Sequence, residues 1–481
     1  GDVCTRRGRR GVTGRPGMTA TPRIIPITYQ RDPASRLAMH GSSPGFVYLD
    51  SCAGRTPGGR YDIISSAPTT VLSTRGNTTE IRSRNRCVTS AADPFELVSE
   101  ALSSLHCEPT ELPFCGGAIG YFAYDLGRRI EHLPEHAAAD IDVPDMVVGI
   151  YDWAIVVDHE TRRAWIVAHA DAATDLDHWR DLMAAPDPVT PAAYGTSFEV
   201  TSSVMPEITF AEYAEKFARI KRYIIDGDCY QVNLAQRFSA DVRGASWDAY
   251  LRLRNLNPAP FSAYLRLEHG AILSSSPERF LSVRNRQVET KPIKGTRPRA
   301  TDVSIDRQLA EELRVSTKDR AENVMIVDLL RNDLGKSCAV GSVVVPELFA
   351  IESYATVHHL VSTVRGTLAA GVRECELLRG CFPGGSITGA PKLRAMEIIE
   401  ELEPCRRTVY CGAIGYLSAD GAMDTNIAIR TLVHHHGRMY CWAGGGIVAD
   451  SELDAEYREC LDKAAAMLNV FAHAEVPDLG R

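Results

Sequence analysis

A change in the pattern of apolar residues near residue 190 constrains the fold of this chain more than any other sequence feature. Before it, short runs with apolar residues at alternate positions are separated by Gly and Pro, which is typical of β-strands and their turns. After it, helical segments alternate with strands. Residues 186–197, rich in Pro, Ala and Thr, have no helical stripe and are predicted to be a linker.

This pattern predicts an α+β fold in which two packed β-sheets form a sandwich flanked by helices. Residues 18–190 would form a sheet-rich amino-terminal region, and residues 200–475 a second region. The sequence shows no internal repeat, which disfavours solenoids and propellers. Strands are predicted at 45–51, 60–68, 146–158, 162–171, 270–277, 410–418 and 438–446, and helices at 210–226, 318–334, 391–402 and 451–469.

The charge balance limits the partners. The chain carries 53 basic and 61 acidic residues, a net charge of −8. Residues 1–17 hold five arginines and one acid, so the remainder has 48 basic and 60 acidic residues, net −12. A nucleic acid needs a basic field, so none is expected as a partner. Residues 1–17 lack the apolar core of a secretion signal and are predicted to be a disordered basic extension.

Apolar runs and cysteines limit the cellular setting. The longest apolar run, residues 146–157, is interrupted by Asp152 and is shorter than the roughly 20 residues that cross a bilayer, so no membrane association is expected. The 13 cysteines are an odd number and include no Cys-x-x-Cys pair. They are predicted to be free thiols in a reducing cytoplasm. Their neighbours do not indicate a lowered thiol pKa, so a cysteine nucleophile is not predicted.

Two predicted helices carry acidic side chains on one face. Asp319 and Glu322 are three residues apart, and Glu456, Glu459 and Lys463 follow the same helical spacing. Either set alone is more typical of a solvated helix surface. If both sets met in one cleft, their carboxylates would repel each other unless a hard cation such as Mg²⁺ lay between them.

Two glycine-rich segments, residues 383–392 and 443–451, are predicted to be turns beside a helix and a strand. Backbone N–H groups in such turns can hold a carboxylate or phosphate. Neither has the spacing of a P-loop or of a dinucleotide-binding loop, so nucleotide binding is not indicated. Ordinary tight turns are the alternative interpretation.

Lys294 lies between Ile293 and Gly295 in a predicted tight, partly apolar turn, and Glu278 lies between a strand and a turn. A lysine that loses solvation has a lowered pKa and can act as a nucleophilic amine. The alternative for an isolated lysine is a solvated surface charge. These residue types alone leave the choice open.

Twelve motifs in a fixed order resemble those of the chorismate-utilising enzymes. The resemblance is specific over residues 116–463 and thinner before them, through YLDS and RYDIISSAP. The motifs are GGAIGYFAYDLGRR (116–129), GDCYQVNLAQRF (227–238), NPAPFSAYLRL (257–267), SPERF (276–280), PIKGTRPR (292–299), KDRAENVMIVDLLRNDLG (318–335), VPELF (345–349), VHHLVSTV (357–364), FPGGSITGAPKLRAMEIIEELEP (382–404), YCGAIGYL (410–417), MDTNIAIRTL (423–432) and AGGGIVADSELDAEYRECLDK (443–463).

The resemblance implies that residues 200–475 are a chorismate-binding catalytic region that uses Mg²⁺. Chorismate carries two carboxylates. One would meet the metal at Glu322 and Glu459, with Asp319 and Glu456 nearby. The other would be held by Tyr410, Arg430 and the Gly444–Gly446 segment. The full set of implied substrate-binding residues is Gln231, Gly295, Thr296, His359, Ser386, Thr388, Tyr410, Arg430, Gly444, Gly445, Gly446 and Lys463.

The resemblance also indicates the reaction. Members that add water to chorismate have a lysine where this chain has Gln231. Members that form anthranilate have alanine where Lys294 stands, whereas a lysine there is typical of members that aminate chorismate at C4. The implied catalytic residues are Lys294 as nucleophile and Glu278 as general acid. The product would be 4-amino-4-deoxychorismate, a precursor of 4-aminobenzoate and folate. Anthranilate formation is the alternative, and a chorismate- or amino-acid-sensing protein without catalysis is a hypothesis of another class.

Two partners follow from the resemblance. None of the cysteines has the setting of a glutaminase nucleophile, so ammonia would come from a separate glutamine amidotransferase subunit. Some relatives bind tryptophan, either as a structural or as an inhibitory ligand. The positions here that match their tryptophan site are Ser51, Gly58, Gly59, Arg60, Tyr61, Pro260, Phe261 and Ser262.

Overall fold

The computed structural model describes residues 21–53, 56, 59–105, 107–169, 172–186, 197–354 and 357–471. The predicted extension at 1–17 and nearly all of the predicted linker at 186–197 lie outside these residues. None of the helices in the described ranges is both long enough and apolar enough to cross a membrane.

The strands, numbered in chain order over the described residues, are β1 (Arg23–Ile27), β2 (Val47–Asp50), β3 (Tyr61–Ser65), β4 (Thr70–Arg75), β5 (Thr78–Ser83), β6 (Arg86–Ser90), β7 (Gly117–Phe122), β8 (Met146–Tyr151), β9 (Trp153–Asp158), β10 (Arg163–Ala168), β11 (Glu199–Val200), β12 (Met205–Pro206), β13 (Gln231–Arg243), β14 (Phe261–Leu267), β15 (Gly270–Ser276), β16 (Arg279–Arg284), β17 (Gln287–Thr290), β18 (Ile293–Pro298), β19 (Val344–Ser353), β20 (Val357–Thr367), β21 (Gly389–Ala390), β22 (Ala413–Ser418), β23 (Met423–Ile427), β24 (Thr431–His435) and β25 (Arg438–Ile447).

The α-helices of the same residues are α1 (Pro94–Leu102), α2 (Leu176–Ala184), α3 (Phe210–Ile225), α4 (Ser246–Leu256), α5 (Val303–Val315), α6 (Thr317–Gly335), α7 (Glu374–Cys381), α8 (Lys392–Leu402) and α9 (Leu453–Leu468). Short 3-10 helices lie at Pro33–Arg36, Ser103–Leu105, Tyr124–Arg129, Gly385–Ile387 and Asn469–Phe471.

The strands form two large antiparallel sheets, which confirms the predicted fold class. The first sheet has the order β1-β10-β9-β3-β2-β14-β15-β24-β25-β13-β11, with β12 and β21 also paired to β13. The second has the order β18-β20-β17-β16-β23-β22-β7-β8-β4-β5-β6, with β19 also paired to β20. Strands from before and after the predicted linker therefore pair with each other within each sheet.

Because apolar side chains point to both faces of the first sheet, one hydrophobic core lies on each side of it. Val47 and Ile63 pack in the core between the two sheets. Their neighbours Tyr48 and Ile64 point the other way, into a core that α2, α4 and α9 cover. These neighbours enter different cores because successive residues of a β-strand face opposite sides of the sheet. Both faces of this sheet are buried, which explains its near-continuous apolar strands.

The predicted strand at 146–158 is two strands in different sheets. β8 pairs with β4 and β7 in the second sheet, whereas β9 pairs with β3 and β10 in the first. The chain crosses between the sheets at Asp152, the one polar interruption of that apolar run. The other predicted strands and helices are present, with ends that differ by a few residues.

Local sequence explains where the helices that carry site residues begin. The side chain of Ser316 accepts a hydrogen bond from the backbone N–H of Asp319 and so caps α6. Thr209 and Glu212 form a reciprocal capping box at the start of α3. The acidic residues in these first turns interact favourably with the positive end of the helix dipole.

An aromatic cluster supports the loop that follows α7. Phe95 on α1 is buried, lies parallel to Phe122 with ring centroids 5.3 Å apart, and lies 5.9 Å from Phe382. We expect Phe95→Ala to lower the free energy of unfolding by about 3–5 kcal/mol, because it leaves a cavity between three packed elements. Urea denaturation followed by tryptophan fluorescence measures this change. Exposed Glu96 on the same helix is the control, and Glu96→Ala should change stability by about 0.5 kcal/mol or less. Equal effects of the two variants would contradict the prediction.

Candidate active site

Of the two predicted catalytic residues, one lies where the chain crosses between the sheets and the other lies on an edge strand. Glu278 is in the connection between β15 of the first sheet and β16 of the second, and only 7% of it is exposed. Lys294 is half-buried on β18, the edge strand of the second sheet. The prediction that Lys294 lies in a tight turn is wrong. The segment is extended because Ile293 and Lys294 pair with Val361 and Leu360 of β20.

A bulge at Gly295 interrupts this pairing. Lys294 pairs with Leu360 and Thr296 pairs with His359, so Gly295 is an extra residue on β18. Its φ of 72° lies in the left-handed region that favours glycine. A Cβ atom there would lie 2.7 Å from Leu313 Cδ1 and 2.8 Å from Asp319 Oδ1. Glycine at position 295 therefore allows β18, the strand that carries Lys294, to approach α6.

Burial shifts both catalytic groups toward their neutral forms. Burial lowers the pKa of the Lys294 amine, although the carboxylates of Glu278 and Glu322 oppose the shift. Burial raises the pKa of the Glu278 carboxyl, which Lys294 and Ser386 partly offset. Burial therefore favours the uncharged amine of Lys294 and the protonated carboxyl of Glu278, the forms that a nucleophile and a general acid require.

His359 and Arg430 lie on the same side of the site. His359 Nδ1 is 2.9 Å from the hydroxyl of Thr296. Burial, followed by the charge of Arg430, lowers the pKa of His359 to about 4, so the imidazole is neutral at physiological pH. Arg430 is in the connection between β23 and β24 with a φ of 50°, and burial also lowers its pKa. Among the described residues no carboxylate forms a salt bridge with this guanidinium, which suits it to an anionic ligand.

The loop after α7 contributes two buried hydroxyl residues, Ser386 and Thr388. Ser386 is in the 3-10 helix Gly385–Ile387. Thr388 Oγ1 donates a hydrogen bond to the carbonyl of Gly384, 3.0 Å away, which fixes its orientation. The loop is joined to β13 because the backbone N–H of Asn233 donates to the carbonyl of Thr388 at 2.8 Å.

The three glycines predicted to form a turn are instead part of β25. Gly444, Gly445 and Gly446 pair with residues 235, 234 and 233 of β13, and the turn follows after Ile447. In the described residues this stretch pairs with a strand on one side only, because β24 pairs with residues 438–441 of β25. A Cβ on Gly445 would lie 3.2 Å from Glu456 Oε2 and 3.8 Å from Lys463 Nζ, so glycine leaves this space to those two side chains.

Tyr410 and Gln231 complete the predicted pocket. Tyr410 is buried and lies parallel to Trp442, with ring centroids 6.2 Å apart. Gln231 begins β13 and is fully buried, and its amide has no hydrogen-bond partner in the described part of the chain. A Cβ on Gly446 would lie 2.8 Å from the Gln231 amide nitrogen, so the two are in direct contact.

Three of the four predicted metal residues, Glu322, Glu456 and Glu459, lie beside lysines of α6 and α9. Lys318 Nζ lies 4.0 Å from Glu322 Oε1 and 3.9 Å from Glu456 Oε1. Lys463 Nζ lies 2.7 Å from Glu459 Oε1. Asp319 pairs instead with Arg297 at 3.2 Å. The two helices thus bring the acids of both sequence segments to one place, with lysine ammonium groups beside them.

The electrostatics of this acidic group fit a cation. Burial raises the pKa of Glu322; the charges of Lys294 and Lys318 oppose this shift, and those of Asp319 and Glu456 add to it. In the described residues no three His, Cys, Asp or Glu side chains converge closely enough to hold a metal as they stand. The donor set of carboxylate oxygens is nevertheless of the kind that Mg²⁺ prefers, and a divalent cation would relieve this repulsion.

The residues predicted for tryptophan surround a separate cavity of about 110 Å³ between the sheets. Its lining contains Ser51, Arg60, Tyr61, Pro260, Phe261 and Ser262. Gly59 lies behind Ser51, because a Cβ on it would collide with the Ser51 carbonyl oxygen. Gly58 lies outside the described residues. The cavity also has charged lining residues that the sequence did not indicate, Asp50, Arg279 and Asp424.

Two residues of the site were missed at the level of sequence. Lys318 lies between Glu322 and Glu456, and its i, i+4 spacing to Glu322 could have indicated the first contact. Asn257 Oδ1 accepts a hydrogen bond from Arg430 at 3.3 Å. No spacing rule relates two residues so far apart in the chain, so only the fold could reveal that contact.

The geometry agrees with comparisons to known proteins. The sequence matches the chorismate binding enzyme family over residues 45–469. The fold and the pocket define a chorismate-binding enzyme, and the chain belongs to this family. It is 49% identical over 453 residues to aminodeoxychorismate synthase component 1 of Klebsiella aerogenes. The aligned residues make up 93% of this chain and 99% of that protein.

Anthranilate-forming relatives are also similar. Anthranilate synthase component 1 of Streptomyces coelicolor is 41% identical over 383 residues, covering 76% of this chain and 74% of that protein. The crystal structure of anthranilate synthase component I from Streptococcus pneumoniae matches with a TM-score of 0.75 at 32% identity, covering 85% of this chain and 92% of that chain.

The bulge yields a stability prediction with a matched control. Gly341 has a φ of 77°, close to that of Gly295, but a Cβ on it meets no atom within 4 Å. Gly341→Ala should therefore lower the free energy of unfolding by about 1–2 kcal/mol through backbone strain alone. Gly295→Ala should cost more, because its Cβ would also collide with Leu313 and Asp319. Urea denaturation of both variants tests this, and equal losses would show that the contact with α6 is unimportant.

Proposed function

We propose that this chain aminates chorismate at C4 to give 4-amino-4-deoxychorismate, the reaction named in its aminodeoxychorismate synthase relatives. The observation that carries the proposal is a desolvated lysine, Lys294, beside a buried carboxyl, Glu278, in the pocket of a chorismate-binding enzyme. The similarity of almost the whole chain to component 1 of aminodeoxychorismate synthases supports it. The product would serve 4-aminobenzoate and folate biosynthesis.

Lys294 would act as the nucleophile. Its amine attacks C2 of chorismate and forms a C–N bond, both ring double bonds shift by one position, and the C4 hydroxyl leaves. Glu278 donates the proton with which this hydroxyl departs as water. Ammonia then adds at C4, both double bonds shift back, and the Lys294 amine is expelled from C2. The enolpyruvyl group is retained, so no pyruvate is released.

The substrate dianion would be held by separate groups at its two carboxylates. Arg430 is suited to one of them, because it is desolvated and hydrogen-bonded to the neutral Asn257. Tyr410 and the side-chain-free surface of Gly444–Gly446 would complete that part of the pocket. Lys463, whose ammonium is 3.2 Å from the Gly444 carbonyl oxygen, would add a positive charge near the other carboxylate.

Mg²⁺ is the proposed cofactor. Glu322 and Glu459 would hold it, with Asp319 and Glu456 close by. When bound, it would neutralise and orient one substrate carboxylate. Lys318 and Lys463 lie beside these acids and would have to share or release their carboxylate contacts.

Ammonia would come from a glutamine amidotransferase subunit. The cysteines of the described residues are free, and all of them except Cys87 are buried. Burial raises the pKa of Cys411, beside Tyr410, to about 12, so it is a poor nucleophile. Buried free thiols also favour the reducing cytoplasm as the proposed location.

A tryptophan site is proposed for the cavity between the sheets. Phe261 and Tyr61 offer aromatic surface. Asp50 and Arg60 also line the cavity, where Asp50 is paired with Arg254 at 2.6 Å and Arg60 with Asp158 at 2.9 Å. The backbone N–H and hydroxyl of Ser51 donate to the buried Asp62, at 2.9 and 2.8 Å, which holds this wall in place.

Product analysis tests the proposal directly. The protein is incubated with chorismate, Mg²⁺ and ammonium at alkaline pH, where free ammonia is abundant, and the product is identified by mass spectrometry. Formation of 4-amino-4-deoxychorismate supports the proposal. Anthranilate together with pyruvate would overturn it in favour of anthranilate synthesis, and unchanged chorismate would favour a sensing role.

The role of Lys294 can be isolated by substitution. We expect Lys294→Ala to lower kcat for amination by about 100-fold or more, because the nucleophilic step is lost. Lys291 lies three residues earlier on the same segment, is paired with Glu352 at 2.6 Å and is the control. Lys291→Ala should keep kcat within a few-fold of the parent. Equal rates for the Lys294 variant and the parent would exclude the covalent route.

The role of the acids can be tested through metal dependence. We expect Glu322→Gln to raise the Mg²⁺ concentration needed for half-maximal rate by about tenfold or more, because one anionic ligand is lost. Direct Mg²⁺ titration by calorimetry should show the same loss of affinity. Asp328 on the same helix is exposed and pairs with Arg331, so Asp328→Asn should leave both values unchanged. An unaltered Mg²⁺ affinity for Glu322→Gln would remove this residue from the metal site.

A further inference from the structure

A buried ion pair lies behind the substrate pocket, between residues to which no role has been assigned above. Arg407 is 1% exposed and Glu403 is 5% exposed. The guanidinium donates two hydrogen bonds to the carboxylate, from Nε to Oε2 at 2.9 Å and from Nη2 to Oε1 at 2.7 Å. This fork-like arrangement is specific to arginine.

The remaining donors of Arg407 reach two segments of the pocket wall. Nη1 donates to the carbonyl of Ile387 at 2.9 Å, between Ser386 and Thr388. Nη2 donates to the carbonyl of Asn233 at 2.9 Å, on β13. Glu403 Oε1 accepts a further hydrogen bond from the backbone N–H of Ala235 at 2.9 Å. One ion pair therefore holds the hydroxyl-bearing loop and β13 together.

The residues of β13 that the ion pair contacts are paired with the glycine strand, which is the Gly444–Gly446 part of β25. Asn233 pairs with Gly446 and Ala235 pairs with Gly444, so the ion pair supports β13 opposite the three glycines. The guanidinium also lies over the ring of Tyr410, 5.9 Å from its centroid, and over the ring of Tyr124 at 4.8 Å. Three predicted parts of the substrate pocket thus share one buried support: the loop with Ser386 and Thr388, the glycine strand, and Tyr410.

We infer that Arg407, with Glu403 as its counter-ion, is a positioning residue that sets the relative placement of these three parts of the chorismate pocket. The inference rests on the proposed function for its substrate. The hydrogen bonds of the pair go to the backbone of residues that adjoin or pair with the pocket residues, and both side chains are buried. Misplacing reacting groups by about 1 Å can cost roughly 100-fold in rate.

Stability alone does not account for such a pair. Replacing a buried ion pair by neutral side chains of similar size is often neutral for stability, whereas removing one partner leaves an unpaired buried charge and is strongly destabilising. A double variant without either charge therefore separates positioning from folding. Arg407→Met with Glu403→Gln removes both charges, and glutamine keeps an acceptor for the Ala235 N–H.

The control is a second ion pair, between Glu400 on α8 and Arg128 in the 3-10 helix Tyr124–Arg129. Arg128 and Glu400 form a salt bridge that is largely buried, and Glu400 also accepts from the backbone N–H groups of His136 and Ala137. This pair contacts none of the pocket residues named above. Arg128→Met with Glu400→Gln removes the same two types of charge away from the pocket, although Arg128 also pairs with Asp125 at 3.4 Å.

The experiment compares both double variants with the parent in chorismate affinity by calorimetry, in kcat and KM for amination, and in melting temperature. We expect the Arg407/Glu403 variant to lose at least tenfold in chorismate affinity and at least tenfold in kcat, with a melting temperature within about 5 °C of the control variant. The control should keep affinity and kcat within about threefold of the parent. Parental affinity and kcat in the Arg407/Glu403 variant, or an equal loss in the control, would overturn the inference.

Arg407→Lys gives an independent outcome if the double variant does not fold. Lysine keeps the charge but lacks the planar fork, so it cannot bond Glu403, Ile387 and Asn233 together. A loss of at least fivefold in chorismate affinity supports the inference, and parental affinity would overturn it. Chorismate binding without amination by the parent would refute the proposed function alone, because affinity still reports on the pocket. A parent that does not bind chorismate would refute both.

Discussion

Two adjacent crossings of the chain between the sheets determine where the chemistry lies. One runs from β15 to β16 and carries Glu278, and the other runs from β23 to β24 and carries Arg430. They are joined by backbone hydrogen bonds, from Ile427 N–H to the Glu278 carbonyl at 3.0 Å and from Ser275 N–H to the Arg430 carbonyl at 3.0 Å. A connection at this place cannot follow either sheet, so its side chains point into the space where the sheets separate.

Burial at and beside these crossings has an electrostatic consequence. Removing ionisable groups from water favours their neutral forms, which is why burial moves the pKa values of Lys294 and Glu278 toward each other. The same environment strengthens the attraction between a desolvated arginine and an anion. A chain with a net charge of −8 can thus bind an anionic substrate, because the few cations around the pocket are poorly screened.

Sequence patterns identified most of the elements but not their partners. Alternation and helical spacing located the strands and the helices α3, α6, α8 and α9, because each depends on neighbours within a few residues. The single apolar run at 146–157 gave no sign that its halves belong to different sheets. Likewise the glycines at 444–446 were interpreted as a turn, since glycine is common in turns, but pairing with β13 makes them part of a strand.

For the site, the motifs and their resemblance to a known family supplied the residues, and the structure supplied their arrangement. Helical spacing alone put Asp319 and Glu322 on one face and Glu456 and Glu459 on another. Only the packing of α6 near α9 shows Lys318 between Glu322 and Glu456, and Asp319 turned toward Arg297. Arg407 and Glu403 are four residues apart, as in many exposed pairs, and nothing local indicates that both are buried.

The sequence by itself determined the fold class, the family resemblance, the lysine from which that resemblance implies C4 amination over anthranilate formation, and the excess of acidic residues. The tertiary structure decided which of those groups lose water, which strand of which sheet each belongs to, and which buried pair supports the pocket. The physical reason is range: propensity and periodicity act between near neighbours in the chain, whereas desolvation and strand pairing depend on residues that are more than a hundred positions apart, such as Glu278 and Ile427.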